Sequence, residues 1–435
     1  MVVRRLWGAM SAGGRAVVDR CTHAVAGSGY LANSWVSERV GEGMHPAWSM
    51  RVDWPIAPLK SRRRFVPRFC PRRECAAHRL SSRNRLPYQS AGSYRGHLGR
   101  RVQRYLCLSC ERTFSKQTFD CSYYLKRPEL LAPVAAGLVA GSAHRQIARS
   151  LGCAPSTVTR LSARLGRHAL LLQARALSRL PLLDETVVID HFETFEFSQD
   201  LPFGVTTPVG SESWFVYGLE PAPHRRTGHC SPRQRARLLG RPWRDLRGGH
   251  RASFRRTLDF LLPLTPVGGP LRLITDGHPA YARELSRHRG KVVTRIHPNP
   301  PRGPKGSPRS LEAIFRDRAM FPNDLLHMLL RHSLAHHRRE TIAFGRRINA
   351  LMERLFLTVA WRNFVKLSSE RRPEPVTPAM KRKLTETPWS WSRVLAIRLF
   401  PDRERVPDTW MQLYRREWTT PVLPTNSVHN LARAF

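Results

Sequence analysis

Cysteine is scarce in this 435-residue sequence: eight in all, too few for a disulfide framework in a chain of this length. Acid is scarce too. Asp and Glu number 32 against 73 Lys and Arg, a formal charge of +41, and only eight of those cations are lysine. That balance excludes an acidic, self-solvating chain and favours a polyanionic partner, nucleic acid first. Arginine is also the cation suited to bidentate contact with phosphate. No apolar run is long enough to predict a membrane-spanning helix. Charges and glycines interrupt the N-terminal stretch, so no secretory signal is expected. A cytoplasmic chain with no membrane partner follows. Its length suits two or three domains, and its apolar content of 41% suits a folded globular protein.

What is present begins with the cysteines. "FCPRRECAAH" carries Cys70 and Cys75, then His78; "YLCLSCERTFS" carries Cys107 and Cys110. Two short thiol knuckles at a distance suit tetrahedral zinc closing a small β-ribbon. Bound zinc would supply folding energy that so small and charged a module cannot draw from its own core. Neighbouring Arg72, Arg73 and Arg112 are expected to favour thiolates and to face phosphate. Cys70, Cys75, Cys107 and Cys110 are the expected ligands, with His78 an alternative to Cys75.

Next comes "SAHRQIARSLGCAPSTVTRLSARLG" (142–166), a candidate helix-turn-helix. Ser142 can cap the first helix, Gly152 can end it, and Pro155 fits the first turn of the second. Ile147, Ala148 and Leu151 would meet Val158, Leu161 and Leu165. Ser156, Thr157, Thr159, Arg160 and Arg164 would then face outward and meet phosphates and base edges of a duplex.

The pattern changes after residue 183. "TVVIDHFETFEF" (186–197), "FGVTTPV" (203–209) and "SWFVYGLE" (213–220) read as strands, "FRRTLDFLLPL" (254–264) as a short helix, and "LRLITD" (271–276) and "KVVTRI" (291–296) as strands again. "NPPRGPKGSPRS" (299–310) reads as a loop, and Pro322 to Lys366 has helical period. Asp190 interrupts an apolar strand and Asp276 closes one. Such acids are costly unless paired or metal-bound, and two of them can share hard divalent ions used in phosphodiester chemistry. A third acid is sought among Glu312, Asp324, Glu340 and Glu353. Asp324 would sit at a helix start just after Pro322, Glu312 follows the loop, Glu340 lies among arginines and suits a salt bridge, and Glu353 reads as an exposed face.

The resulting domain plan is 1–60 weakly patterned, either poorly ordered or an over-long start; 61–122 zinc ribbon; 128–170 helix-turn-helix; 183–370 a mixed α/β domain; and 371–435 a Trp- and Arg-rich extension. This order of parts resembles the bacterial insertion-sequence transposases, in particular the short insertion elements with an N-terminal ribbon. "RYLCLSCERTFS" (104–115), "VIDHFETF" (188–195), "ITDGHPAY" (274–281) and "RRETIAFGRR" (338–347) carry the resemblance, which spans roughly residues 62–366. It implies a multidomain α+β protein whose catalytic part is a ribonuclease H-like α/β domain with a mixed sheet and a helical C-terminal part. It also implies an Asp-Asp-Glu type triad binding two Mg²⁺ or Mn²⁺, which cuts element ends and joins the freed 3′-hydroxyl to target DNA. Asp190 and Asp276 match the first two acids. Counting back from "RRETIAF" puts the third at Asp324; spacing from Asp276 favours Glu312. Segment 298–322 looks like an insertion relative to the short members. The implied partners are double-stranded DNA (terminal inverted repeats and target) and further copies of the chain, as a homodimer or higher oligomer, in a nucleoid-associated setting.

Overall fold

The computed structural model describes residues 65–418, apart from 81–83, 97–98, 226–229, 240–247, 302, 305, 339–340, 342 and 372. The 1–60 segment and Glu340 therefore lie outside the described residues.

The ribbon comes first. Strands β1 (Tyr88–Arg95), β2 (Arg101–Cys107) and β3 (Thr113–Ser115) form an antiparallel sheet in that order. Its outer faces are polar, so burial concentrates in a small cluster of Cys70, Cys75, Ala77, Leu86, Tyr105, Cys107 and Phe114. A cluster of this size is a weak source of stability by itself.

Three helices follow: α1 (Leu131–Val139), α2 (His144–Ser150) and α3 (Pro155–Arg179). Gly152 takes φ +56° between α2 and α3, which is the left-handed turn expected there. Ser142 is not the cap of α2. Ala143 occupies that position, and its N–H is taken instead by the Gln146 side chain at 2.9 Å. Helix α3 also runs past the expected end at 170. Residues 161–174 are buried without a break, because neighbours surround this stretch on every side. Gly166 marks the closest approach: a Cβ there would lie 2.4 Å from that of Glu353 on the crossing helix α8 (Ile348–Phe364).

The second sheet has five strands in the order β6-β5-β4-β7-β8. Strands β4 (Val187–Phe195), β5 (Pro202–Gly210) and β6 (Glu220–Pro223) are antiparallel neighbours; β7 (Leu271–Thr275) and β8 (Val292–Ile296) run parallel to β4. The central strand is buried along nearly its whole length, because both its faces are covered. Between β6 and β7 come α4 (Pro232–Leu239) and α5 (Gly249–Leu261), and α6 (Pro279–Arg287) joins β7 to β8. Segment 213–220, expected as a strand, makes only a single bridge, Val209 to Val216, before β6 begins. The sheet's other face receives α7 (Leu311–Ser333). That helix is capped by the Ser310 hydroxyl, begins eleven residues before Pro322, and carries that proline in its interior.

Helices α9 (Pro378–Lys381), α10 (Trp391–Val394) and α11 (Asp408–Arg415) complete the described chain. Trp410 is wholly buried; its indole N–H donates to Glu220 at 2.8 Å and its ring meets Phe356 edge-on at 4.9 Å. Glu353, expected on an exposed face, is buried and forked by Arg416 at 2.6 and 2.8 Å. One apolar core runs from Cys121 to Tyr414, so the helix pair, the sheet and the C-terminal segment share it, whereas the ribbon keeps its own. Arg403 links the two. Its guanidinium donates to the carbonyls of His78 and Leu80 and lies 3.9 Å over the Phe69 ring. No helix among the described residues is long and apolar enough to cross a membrane.

Candidate functional site

The four ribbon cysteines converge. Sγ of Cys70 lies 3.8 Å from that of Cys110, Cys75 lies 3.8 Å from Cys107, and all four sulfurs fall within 4.8 Å of one another. Tetrahedral zinc with bonds near 2.3 Å requires sulfur–sulfur edges of about 3.8 Å, so the donor set and its spacing fit a structural zinc ion. Backbone turns hold each knuckle: Cys75 N–H donates to Arg72 O at 3.2 Å and Cys107 N–H to Arg112 O at 3.0 Å. His78 is not a substitute ligand. It is buried outside the sulfur cluster, where Nδ1 donates to the Cys70 carbonyl at 2.7 Å. The expected help from arginine is also absent. Arg72, Arg73 and Arg112 are exposed, and burial pushes the thiols of Cys70 and Cys75 up. At Cys107 burial raises the thiol as well, but the amides of Ser109 and Cys110 and the thiols of Cys110 and Cys75 together outweigh it and lower the pKa. A bound dication, not arginine, is what would hold the set as thiolates.

The acids meet partway along β4, just past the C-terminal end of β7. These strands pair in parallel, Val187 with Leu273, Val188 with Ile274 and Ile189 with Thr275. One step further, Asp190 and Asp276 stand side by side. Helix α7 crosses below them. Its buried Asn323 donates to Val188 O at 2.8 Å and accepts from the Thr207 hydroxyl at 3.0 Å, which locks the helix to β4 and β5. Asp324 is the next residue. It therefore belongs to mid-helix, not to the helix start expected from Pro322. Burial, the Asp276 carboxylate and then the Asp324 carboxylate push Asp190 up to about 7, against the pull of its hydrogen bond from His191 N–H at 2.7 Å. Glu312 lies twelve residues before Asp324, about 18 Å along the helix axis, exposed in the first turn. Asp324 is thus the acid that α7 brings to Asp190. Its carboxylate pairs with Arg316 at 2.5 Å.

His327, one turn on from Asn323, completes this corner. Nε2 lies 2.8 Å from the Thr207 hydroxyl and Nδ1 lies 3.8 Å from Asp190. Burial lowers its pKa to about 3, so the imidazole is neutral and the Asp190 contact is not an ion pair. Carboxylate oxygens are hard donors of the kind that Mg²⁺ and Mn²⁺ take. Among the described residues those of Asp190, Asp276 and Asp324 are nonetheless more widely spread than the cysteine set.

On the helix pair, Ser156, Thr159 and Arg160 are exposed and Thr157 is half-buried. The Thr159 hydroxyl donates to Pro155 O at 3.1 Å and sits 3.0 Å from His144 Nδ1. Arg164 does not face outward. It is buried, with Nη1 donating to Cys121 O at 2.9 Å and Tyr123 O at 2.8 Å, because the helix presents that position to the preceding segment. Two cations that the sequence reading passed over, Arg145 and Arg149, are exposed on α2 and line a shallow groove with Gly152, Cys153 and Pro155 at the start of α3. Helical period could have found them, since they alternate with buried Ile147 and Ala148. His327 and Asn323 gave no such signal.

Compared with protein-family models, curated proteins and solved structures, the chain matches none.

Proposed function

We propose that the chain is a DNA transposase, which binds element ends and carries out divalent-metal-dependent strand cleavage and strand transfer. The observation that carries this reading is the parallel register of β4 and β7, which brings Asp276 to Asp190, with Asp324 of α7 also acting on Asp190. The sheet supports it: three antiparallel strands followed by two parallel to the first is the arrangement expected of a ribonuclease H-like domain. The cysteine cluster and the exposed start of α3 support reading them as the zinc ribbon and the DNA-reading helix that the resemblance implies.

In this reading Asp190, Asp276 and Asp324 hold Mg²⁺ or Mn²⁺. When bound, the metal would activate the attacking oxygen and steady the leaving one. Asn323 and Thr207 fix the helix against the strand, so the three acids keep their relative positions. Arg316 neutralises Asp324 until the site is filled. Arg145, Arg149 and Arg160 meet phosphates and set the register of the duplex, while the Ser156 and Thr157 hydroxyls meet sugar, phosphate or base edges. Joining two ends calls for at least two copies of the chain on DNA.

The Arg316–Asp324 pair and the spread of the three acids favour one other reading: a transposase-derived zinc-containing regulator that binds DNA without cutting it. Incubating the purified protein with a labelled duplex bearing the inverted repeat that flanks its gene, with Mg²⁺, separates the two. Nicked and joined products are expected, and Asp190→Ala or Asp276→Ala should abolish them while binding persists. Specific binding with no nicking in Mg²⁺ or Mn²⁺ selects the regulator.

A further inference from the structure

Behind the acids, on the opposite face of the central strand, lies a second donor cluster that transposition chemistry does not use. Asp190 and Phe192 face α7; His191 and Glu193 face α5 and α6. His191 hydrogen-bonds Tyr281 and Ser253, and Glu193 meets His250 at the start of α5. His224 arrives just past the end of β6. Its Nε2 lies 2.8 Å from one Glu193 oxygen, and His250 Nε2 lies 2.9 Å from the other. One donor atom from each of the three falls within 4.8 Å of the rest.

Three features set this cluster apart from a surface ion pair. The first is the proton arrangement. His224 Nδ1 sits 3.1 Å from the Arg225 carbonyl, which can only accept, so Nδ1 carries the proton. Nε2 is then the atom turned to the carboxylate, as an N–H donor when the ring is protonated and as a free lone pair for a cation when that proton is displaced. An Nδ1–H donating to a backbone carbonyl is also how metal-binding histidines are oriented. The second is space. Gly204 pairs with Glu193 across β4 and β5; a Cβ there would stand 3.0 Å from Glu193 Oε1 and 3.3 Å from His250 Nε2. At Gly249 a Cβ would lie 2.0 Å from Pro223 O, so only glycine lets α5 begin close enough to β6 for His250 to reach His224. The third is access. The Glu193 side chain is 48% exposed and the two imidazoles 15% and 20%, which leaves an open coordination position on the solvent side. His191 is not a ligand, since both its nitrogens are engaged by Tyr281, Thr206 and Ser253. It packs edge-on to His250 at 4.6 Å and holds that ring in place.

We infer that Glu193, His224 and His250 form a binding site for a first-row transition dication, zinc foremost, separate from both the cysteine cluster and the Asp190 corner. Two imidazoles and one carboxylate favour zinc, cobalt or nickel over magnesium, whereas the all-carboxylate corner favours magnesium or manganese. Three protein ligands with an open fourth position hold an exchangeable water or an anionic oxygen, as open zinc sites do.

The test needs no transposition assay. Tag-free full-length protein is equilibrated with buffered Zn²⁺ and its metal content measured, then titrated with Co²⁺ and followed by absorption. Two zinc ions per chain are expected, one for each donor cluster. The Co²⁺ titration should show one phase with thiolate charge transfer and one without it. His250→Ala should lose one zinc and only the second phase, with an unchanged circular dichroism spectrum. If His250→Ala fails to fold, His224→Gln, on a half-buried loop position, should give the same loss. One zinc per wild-type chain, or two in the folded variants, overturns the site and leaves a histidine–carboxylate hydrogen-bond cluster.

Discussion

Asp190 and Asp276 stand one residue beyond the last backbone pair of two parallel strands, on the far side of Ile189 and Thr275. Burial raises the Asp190 carboxyl, and the nearby Asp276 carboxylate raises it further. The first prediction follows from this pair and from Asp324. Asp190→Asn, Asp276→Asn and Asp324→Asn should each lower Mg²⁺-dependent nicking of an end duplex by on the order of 1000-fold, several kcal/mol of lost metal-assisted stabilisation. End binding, read by gel shift, should change little. Glu312→Gln, far along the helix, should nick like wild type. A Glu312→Gln variant as dead as Asp324→Asn would overturn the choice of third acid.

The second prediction separates two arginines four residues apart on α3. Arg160→Ala should weaken DNA binding and reduce the slope of log K against log salt by about one unit. Arg145→Ala and Arg149→Ala should behave likewise. Arg164→Ala should instead destabilise the fold by about 1–3 kcal/mol, because the Cys121 and Tyr123 carbonyls lose their donor. Its salt slope, measured on the folded fraction, should match wild type.

The contrast between Arg160 and Arg164 shows what sequence can resolve. Period placed both on one helix, and the turn at Gly152 and Pro155 stands where it was read. Which face is covered depends on residues far away in the chain, here Cys121 and Tyr123, and composition holds no trace of that. The same limit applies to Glu353, which looked like a solvent face until Arg416 closed on it. Strands β4, β5 and β7 were legible as short runs of buried residues, and β8 by its β-branched residues although it is half exposed. Segment 213–220 has the same composition but leaves the sheet after one bridge. The first turns of α7 were not legible because proline is a helix-start signal, and Pro322 stands inside a helix that Ser310 caps well before it. The cysteine set was legible as spacing; the Glu193, His224 and His250 set was not, because its members are separated by about 30 residues each.

The third prediction concerns zinc in the ribbon. Cys107→Ser, or chelation of the metal, should unfold residues 65–115 while the large core stays intact. Limited proteolysis should then cut within the ribbon, and far-UV helical signal should persist. Structural zinc contributes on the order of 10 kcal/mol to modules this small, so partial loss of order is not expected. Helix loss in parallel with ribbon cleavage would show that the two cores fold as one.

The fourth prediction is acid sensitivity. Burial lowers His168 to about 4 and His337 to about 3, and both stay neutral in the fold. Below their ordinary value near 6.5 the unfolded chain takes up protons that the folded chain refuses. Stability is therefore full above pH 6.5 and falls as pH drops towards 4, by up to about 3 kcal/mol for each group. Denaturant midpoints between pH 7 and 4.5 should show this slope. His168→Gln, whose amide can still reach the Val394 carbonyl, should flatten it by about one proton.

The fifth prediction concerns Trp410. Trp410→Ala should cost about 3–5 kcal/mol, and Trp410→Phe about 1–3 kcal/mol for the lost bond to buried Glu220. Chemical denaturation reads both.

That indole seats itself against a strand laid down nearly two hundred residues earlier. During synthesis the interior must therefore wait, unsealed, until almost the whole described chain has left the ribosome. A product that stops short of Trp410 carries an open hollow where the ring belongs. Premature termination late in the gene should accordingly give material for proteases and not a smaller folded protein.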